Sequence, residues 1–419
     1  MTTDNAGYPI IAGNSVSAGG DFDIRYRSYY TDTSTLRWNA VATTWDGAAG
    51  GEDTAAGVVV DNTNNCAYVA GTTESASGDD DLAILKVLDI GGGGSFAGDL
   101  IWAQTFAAAP GGDETAAAVA LDGSGNIHGT GGSQRADGSL DVLTVKYEPN
   151  GTRVWAKRYD NGGGRFDRGH AIAVRGSNVF VTGTSQRPGR GDDIVLIKYT
   201  LGGARQWVRH YDDPLHRSEV VSAMTLTSNS VYLCGSAKFT ASQPGDALLL
   251  KYGYDGKKKW ERFTAGSGGG NDSWTDVAGD NKAQVHVTGY CTRLGSGEDI
   301  VTRLYDSSGS RLWQRILKTG SMDVGTALAV DSSRRTYVCG WRTAGGDQDA
   351  VVIKYGTGGA TLWKTTYPDP ALYPGETDIG DDWANDVAVA GPNVYAVGRQ
   401  TINHSGTVDS DFLTLAIWR

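Results

Sequence analysis

The side chains best suited to do chemistry in this chain are acids, and they recur in register. Asp53, Glu114, Asp167, Glu219, Asp272, Asp323 and Asp382 each stand just ahead of a short apolar run. A second series, Asp23, Asp81, Asp141, Asp193, Asp246, Asp299, Asp349 and Asp411, opens a different apolar run in every copy. Two chemistries suit such carboxylates. Each could fix a turn by accepting backbone N–H bonds, a role that demands constant spacing. The first series could instead ligate Ca²⁺, a hard cation that takes several oxygens and relieves the mutual repulsion of clustered acids. No copy has the spacing of an EF-hand or RTX loop. General acid/base catalysis needs one pair of carboxyls with separated pKa values, and a set of equivalents singles out none.

The remaining reactive residue types are scattered. Cys66, Cys234, Cys291 and Cys339 form neither a CxxC nor a vicinal pair, so neither a zinc site nor a redox dithiol is signalled. Cys234 and Cys339 lie inside apolar Tyr-Leu-Cys-Gly and Tyr-Val-Cys-Gly runs, as buried inert thiols do. The six histidines show no HxH or HExxH spacing, and His128 and His286 fall within apolar strands, where packing is expected. No catalytic residue is assigned.

The elements that must position the acids follow from an internal repeat. Trp38, Trp102, Trp155, Trp207, Trp260, Trp313 and Trp363 recur mostly every 50 to 53 residues. Gly13, Gly71, Gly131, Gly183, Gly235, Gly289, Gly340 and Gly398 close a short apolar strand, and the second aspartate series follows ten residues later in five copies. Each unit reads as four strands. Strand A is an apolar stretch such as 171–174, and strand B ends on the marker glycine. Strand C, such as Asp193 to Tyr199, is a nearly continuous apolar run that implies burial on both faces. Strand D carries the Trp. With 60 glycines and short polar links, the pattern is an antiparallel meander, and meanders packed side by side around an axis make a β-propeller.

The expectation is therefore an all-β chain in which residues 1–419 form a single closed propeller. Strands B and C occur eight times and full strands A and D seven times, which favours eight blades, with seven the alternative. The N-terminus reads like the middle of a repeat, as if a preceding segment had been removed. Strands A and C should deliver both acid series to one face.

Two breaks in the repeat invite a ligand. Gly91 to Gly98 reads as a flexible spacer. The link from Trp363 to Asp382 combines prolines with Tyr367 and Tyr373 and runs into Trp383, so Tyr367, Tyr373, Asp382 and Trp383 are candidate ligand contacts, by aromatic stacking on a sugar or peptide. The alternative is a plug or closure seam.

The Val-Tyr-Val-Thr-Gly-like, Asp-Ile-Val-Leu-Ile-Lys-Tyr-like and Gly-x-x-x-Trp segments together resemble the SBBP-type β-propeller repeat of bacterial and archaeal surface and secreted proteins. That resemblance implies an extracellular or cell-surface location and a binding or structural role. It carries no catalytic residues across. The family name implies seven blades, one fewer than the count favoured here.

The net charge of −11 argues against nucleic acid, whose phosphates need a basic surface. Nothing resembles a membrane-inserting span. The expected role is a non-enzymatic extracellular binding or structural module, with a protein or glycan ligand on the acidic loop face. The alternative is a hydrolase or lyase acting on polysaccharide with carboxylates near the propeller axis. Self-assembly into a larger structure is a third reading.

Overall fold

The computed structural model describes residues 1–16, 20–29, 44–47, 49–88, 98–108, 111–162, 164–187, 191–213, 216, 218–238, 244–344, 346–367, 377–378, 381–404 and 407–417, the side chains of 377–378 and 402–414 excepted. The fold is an all-β propeller of eight four-stranded antiparallel blades, and no helix occurs among the described residues. Contacts divide the chain into two compact units, residues 1–221 and 222–419.

Blade 4 shows the unit in full. Strand A is Asp167–Arg175, B is Asn178–Gln186, C is Asp192–Thr200 and D is Arg205–Tyr211. They pair in chain order. Blade 1 begins with the short Thr2–Thr3 strand and ends with Thr44–Trp45. Trp45 pairs with Ile24 as Tyr211 pairs with Ile194, so it stands at the Tyr211 position of strand D, and Trp38 is outside the described residues. In blade 8, Thr377–Asp378 and Trp383–Ala390 share one edge of Asn393–His404, and Thr407–Ile417 pairs along the other.

Strand C explains why the blades stack. Successive side chains point to opposite faces of a strand, so an apolar run serves two neighbours at once. In blade 2, Leu82 and Ile84 join the cluster shared with blade 3, through Ile127, Leu143 and Val145. The intervening Ala83, Leu85 and Val87 join Ile10, Ile24 and Tyr26 of blade 1. In the second unit, Val301 packs with blade 5 residues such as Tyr232 and Leu249, while Ile300 and Leu304 pack with Val338, Val351 and Ile353 of blade 7. Each such fully buried aliphatic side chain contributes about 2 kcal/mol.

The marker glycine has a steric cause. Gly183 pairs with Gly169, but the next pair is Thr182 with Ala171, so His170 is bulged out of the ladder. At that kink a Cβ on Gly183 would overlap the Arg168 carbonyl oxygen. Gly131, Gly289, Gly340 and Gly398 face the same obstacle from Thr115, Ser273, Val324 and Trp383. The bulge lies just beyond the carboxylate that opens strand A and holds it in register with strand B.

Candidate functional site

The first acid series is buried throughout. Asp53, Glu114, Asp167, Glu219 and Asp323 are fully inaccessible, and Asp272 and Asp382 are nearly so. Strand A places each at its first or second residue, or, for Asp382, directly ahead of it, where the incoming loop turns back over the carboxyl. Asn161 N–H donates to Asp167 Oδ2 at 2.8 Å, and the Ala108 N–H donates to Glu114 Oε2 at 2.7 Å. Gly47 and Gly266 supply the same bond, from six residues upstream, to Asp53 and Asp272. Thr319 serves Asp323 with both its amide and its hydroxyl, and the Thr401 amide reaches Asp382.

Strand B supplies a second donor. Ser133 Oγ donates to Glu114 Oε1 at 2.6 Å, and Arg158 reaches the same oxygen at 3.3 Å. Thr73 and Ser185 occupy the matching register opposite Asp53 and Asp167. Burial still raises Asp53 and Asp167 above the ordinary aspartate value, against the pull of these hydroxyls and of the backbone amides. Six of the seven carboxylates are thus tied into their own turns.

Glu219 is the exception. Neither of its oxygens has a hydrogen-bond partner of good geometry, although the side chain is fully buried. Burial, then the charges of Asp213, Asp193 and Asp212, push its carboxyl up to about 9, and the nearby Asp213 amide only moderates the rise. In the repeat the residue matching Thr73, Ser133 and Ser185 is Ala237, which pairs with Asp246 as Ser185 pairs with Asp193.

The second series meets the first at the blade boundaries. Asp23 and Asp53 gather with Asp46, and Asp193 and Glu219 gather with Asp212, one oxygen of each residue lying within 4.8 Å of the others. Among the described residues only these two of the seven expected cation ligands, Asp53 and Glu219, enter such clusters. Arginine pairs with the C-strand aspartate in four blades, one of them inside the second cluster: Arg135 on Asp141 at 2.8 Å, Arg187 on Asp193 at 2.9 Å, Arg293 on Asp299 and Arg342 on Asp349 at 3.5 Å. Blade 2 differs. Asp80 is raised by burial and then by Asp113, Glu74 and Asp79, and Asp81 by burial and then by Asp79, Glu114 and Asp80. No base is among the groups acting on either.

The aromatic candidates are engaged in packing. Tyr367 lies against the apolar cluster of blades 7 and 8. The Trp383 indole N–H donates to Gln348, Arg399 lies 4.6 Å from its ring centroid, and Trp341 sits 6.4 Å away on a tilted plane. Tyr373 falls outside the described residues, as do Pro368, Pro370, Pro374 and Glu376 of the same link and most of the Gly91 spacer.

One carboxyl escapes a reading based on the two series. Asp276 lies just past the bulge of blade 6, where blades 2, 3 and 4 carry Gly57, Ala118 and Ala171 and blade 8 carries a second acid, Asp386. Burial lifts it to about 6, and Asp386 adds to the rise. The amides of Val277 and Leu328 hold its two oxygens at 2.7 and 2.8 Å. The break from small to acidic within the repeat was the signal. All four cysteines are free and buried, and burial pushes the Cys291 and Cys339 thiols up to about 12.

No family model matches the sequence, and no curated protein does. Solved structures do match in fold. Sqt1 from Chaetomium thermophilum is similar over 94% of this chain and 92% of its own, at 11% identity and a TM-score of 0.57. The polysaccharide lyase Uly1 is similar over 87% of this chain and 89% of its own, at 9% identity and a TM-score of 0.52. At such identities the likeness concerns the propeller fold alone.

Proposed function

We propose that this propeller is a non-enzymatic binding or structural module, exposed outside the cell, whose protein or glycan ligand docks on the acidic ends of its blades. The observation that carries this reading is the division of labour among the acids. Those opening strand A are buried and all but one are bonded into turns, so they are unsuited to transferring protons to a substrate. The blade 2 group of Glu74, Asp79, Asp80 and Asp113 is only partly buried and has no base acting on Asp80, so its field reaches solvent. A field of one sign attracts a partner of the other. A basic protein segment, or a glycan carrying amines, suits it best. The SBBP-like repeat pattern supports the extracellular placement.

Hydrolase or lyase action on polysaccharide is the second reading, and Asp276 is the observation that favours it. A carboxyl near 6 is suited to proton transfer, yet two backbone amides already occupy it.

The two readings separate in one assay. The protein is screened against a glycan array and a set of lysine-rich peptides, and against a polysaccharide panel for released product. Salt-sensitive affinity without product, weakened at least tenfold by a combined Asp79→Asn, Asp80→Asn and Asp113→Asn variant, supports docking. Product release abolished by Asp276→Asn would overturn it.

A further inference from the structure

We infer that Asp193, Asp212 and Glu219 form a binding site for one hard divalent cation of the calcium class. The three side chains come from different elements: Asp193 from strand C of blade 4, Asp212 from the link that follows Tyr211, and Glu219 from the start of the next strand A. One oxygen from each lies within 4.8 Å of the others. Ca²⁺ binds oxygens at 2.3–2.6 Å, so ligands on opposite sides of one ion stand about 5 Å apart. Three oxygens no more than 4.8 Å apart therefore lie within the span that one Ca²⁺ bridges. Mg²⁺, with bonds near 2.0–2.1 Å and a strict octahedron, spans less and demands a regular ligand set that three carboxylates from separate elements do not provide.

The independent observation is Glu219 itself. It is wholly buried, both oxygens lack a hydrogen-bond partner, and it is aimed into the group. A buried carboxyl left in that condition is costly unless something satisfies it. The equivalent residues of the other blades show what usually does: an amide six residues upstream or a hydroxyl on strand B. The fifth repeat has Ala237 at the hydroxyl position and adds Asp212 and Asp213 to the loop. The hydroxyl donor is lost and acceptors are gained at the same place, and the Asp213 amide six residues upstream only weakly offsets them, which suits a metal ion. Arg187 and His216 flank the site by pairing with Asp193 at 2.9 Å and Asp212 at 2.9 Å. Neither satisfies the Glu219 oxygens. The other acidic trio is a weaker candidate, because Asp53 already accepts from Gly47.

Isothermal titration of the full chain, stripped with chelator and then titrated with CaCl₂ or MgCl₂, tests the site. The expected result is one Ca²⁺ per chain that binds tighter than Mg²⁺, weakened at least tenfold in Glu219→Gln and in Asp212→Asn and unchanged in Asp53→Asn. Asp212 stands in the link between Tyr211 and Ser218 and in neither strand, so its variant tests the site even if Glu219→Gln fails to fold, and circular dichroism verifies folding of each. Absence of Ca²⁺ binding to the wild-type chain overturns the inference. So does binding that survives both variants, or that disappears in Asp53→Asn alone. Because no peptide or glycan enters the measurement, its outcome is independent of the docking proposal.

Discussion

The indole N–H of Trp155 donates to the carbonyl of Leu201, 3.0 Å away in the next blade, and Lys146 Nζ donates to the same oxygen at 3.1 Å. The ring also lies against Gly203, whose φ of +81° is left-handed and whose missing Cβ makes room for the indole. The contact recurs as Trp102 to Pro149, Trp260 to Ser307 and Trp313 to Thr357. A tryptophan on strand D of one blade is thus locked onto the C–D turn of the next. Trp155→Ala should lose both the packing and the bond, lowering stability by about 3–5 kcal/mol in urea titration. Trp155→Phe keeps most of the packing, and Lys146 still serves the carbonyl, so about 1 kcal/mol is expected. Equal losses for the two variants would contradict the inter-blade lock.

Ser133 and Glu114 offer a test of the turn-fixing role. Removing the hydroxyl leaves Glu114 Oε1 with only the longer Arg158 contact, in a site closed to water. Ser133→Ala should destabilise the fold by about 1–3 kcal/mol, the cost of a buried acceptor losing its donor. Adding Glu114→Gln should recover part of that loss, since a neutral amide is cheaper to bury. A double variant less stable than Ser133→Ala would count against the carboxylate being the group left wanting.

The regularities that announce the fold in the sequence are those with a steric or burial cause in every blade. Gly183 and its equivalents recur because a Cβ meets a carbonyl, Trp155 and its equivalents because they bridge blades, and strand C because both its faces are covered. Trp38 obeys the spacing less well, at 64 residues from Trp102, and lies outside the described residues. Strand A reads as only four apolar residues around Ala171, since the bulge at His170 breaks its alternation, yet the strand starts at Asp167. The acid series is equally legible, but the fate of each acid is not. Whether a carboxylate is satisfied depends on a loop amide six residues upstream and on one side chain of strand B. Ala237 in place of serine is inconspicuous until the register shows what it fails to supply. Trp383 reads as a stacking platform because its partners Arg399 and Trp341 reach it across strands.

Part of the acid sensitivity should trace to His128, alongside His210, which burial also pushes down to about 4. The ring is fully buried, with Nε2 3.2 Å from Asp122 Oδ2, and Lys146 Nζ lies 3.1 Å from the same oxygen. Burial pushes the His128 pKa down to about 4, against the pull of Asp122. An unfolded histidine takes up its proton near 6.5. Between pH 6.5 and 4 the unfolded chain therefore binds a proton that the folded chain refuses, so stability rises with pH in that window and is lost as pH falls through it. Asp122 acts in the same direction lower down. Burial would raise it, but Asn126, His128, the Ser124 amide and Lys146 together hold it well below the usual range, so its contribution fades only below about pH 4. Blade 7 shows a replacement that cannot titrate here: Tyr337, six residues after Asp331 as His128 is after Asp122, donates its hydroxyl to that carboxylate at 3.1 Å. His128→Tyr should keep the bond and flatten the acid limb, so that its melting temperature falls less than wild type between pH 7 and 4.5. Calorimetry across that range measures the difference, and parallel curves would place the acid sensitivity elsewhere.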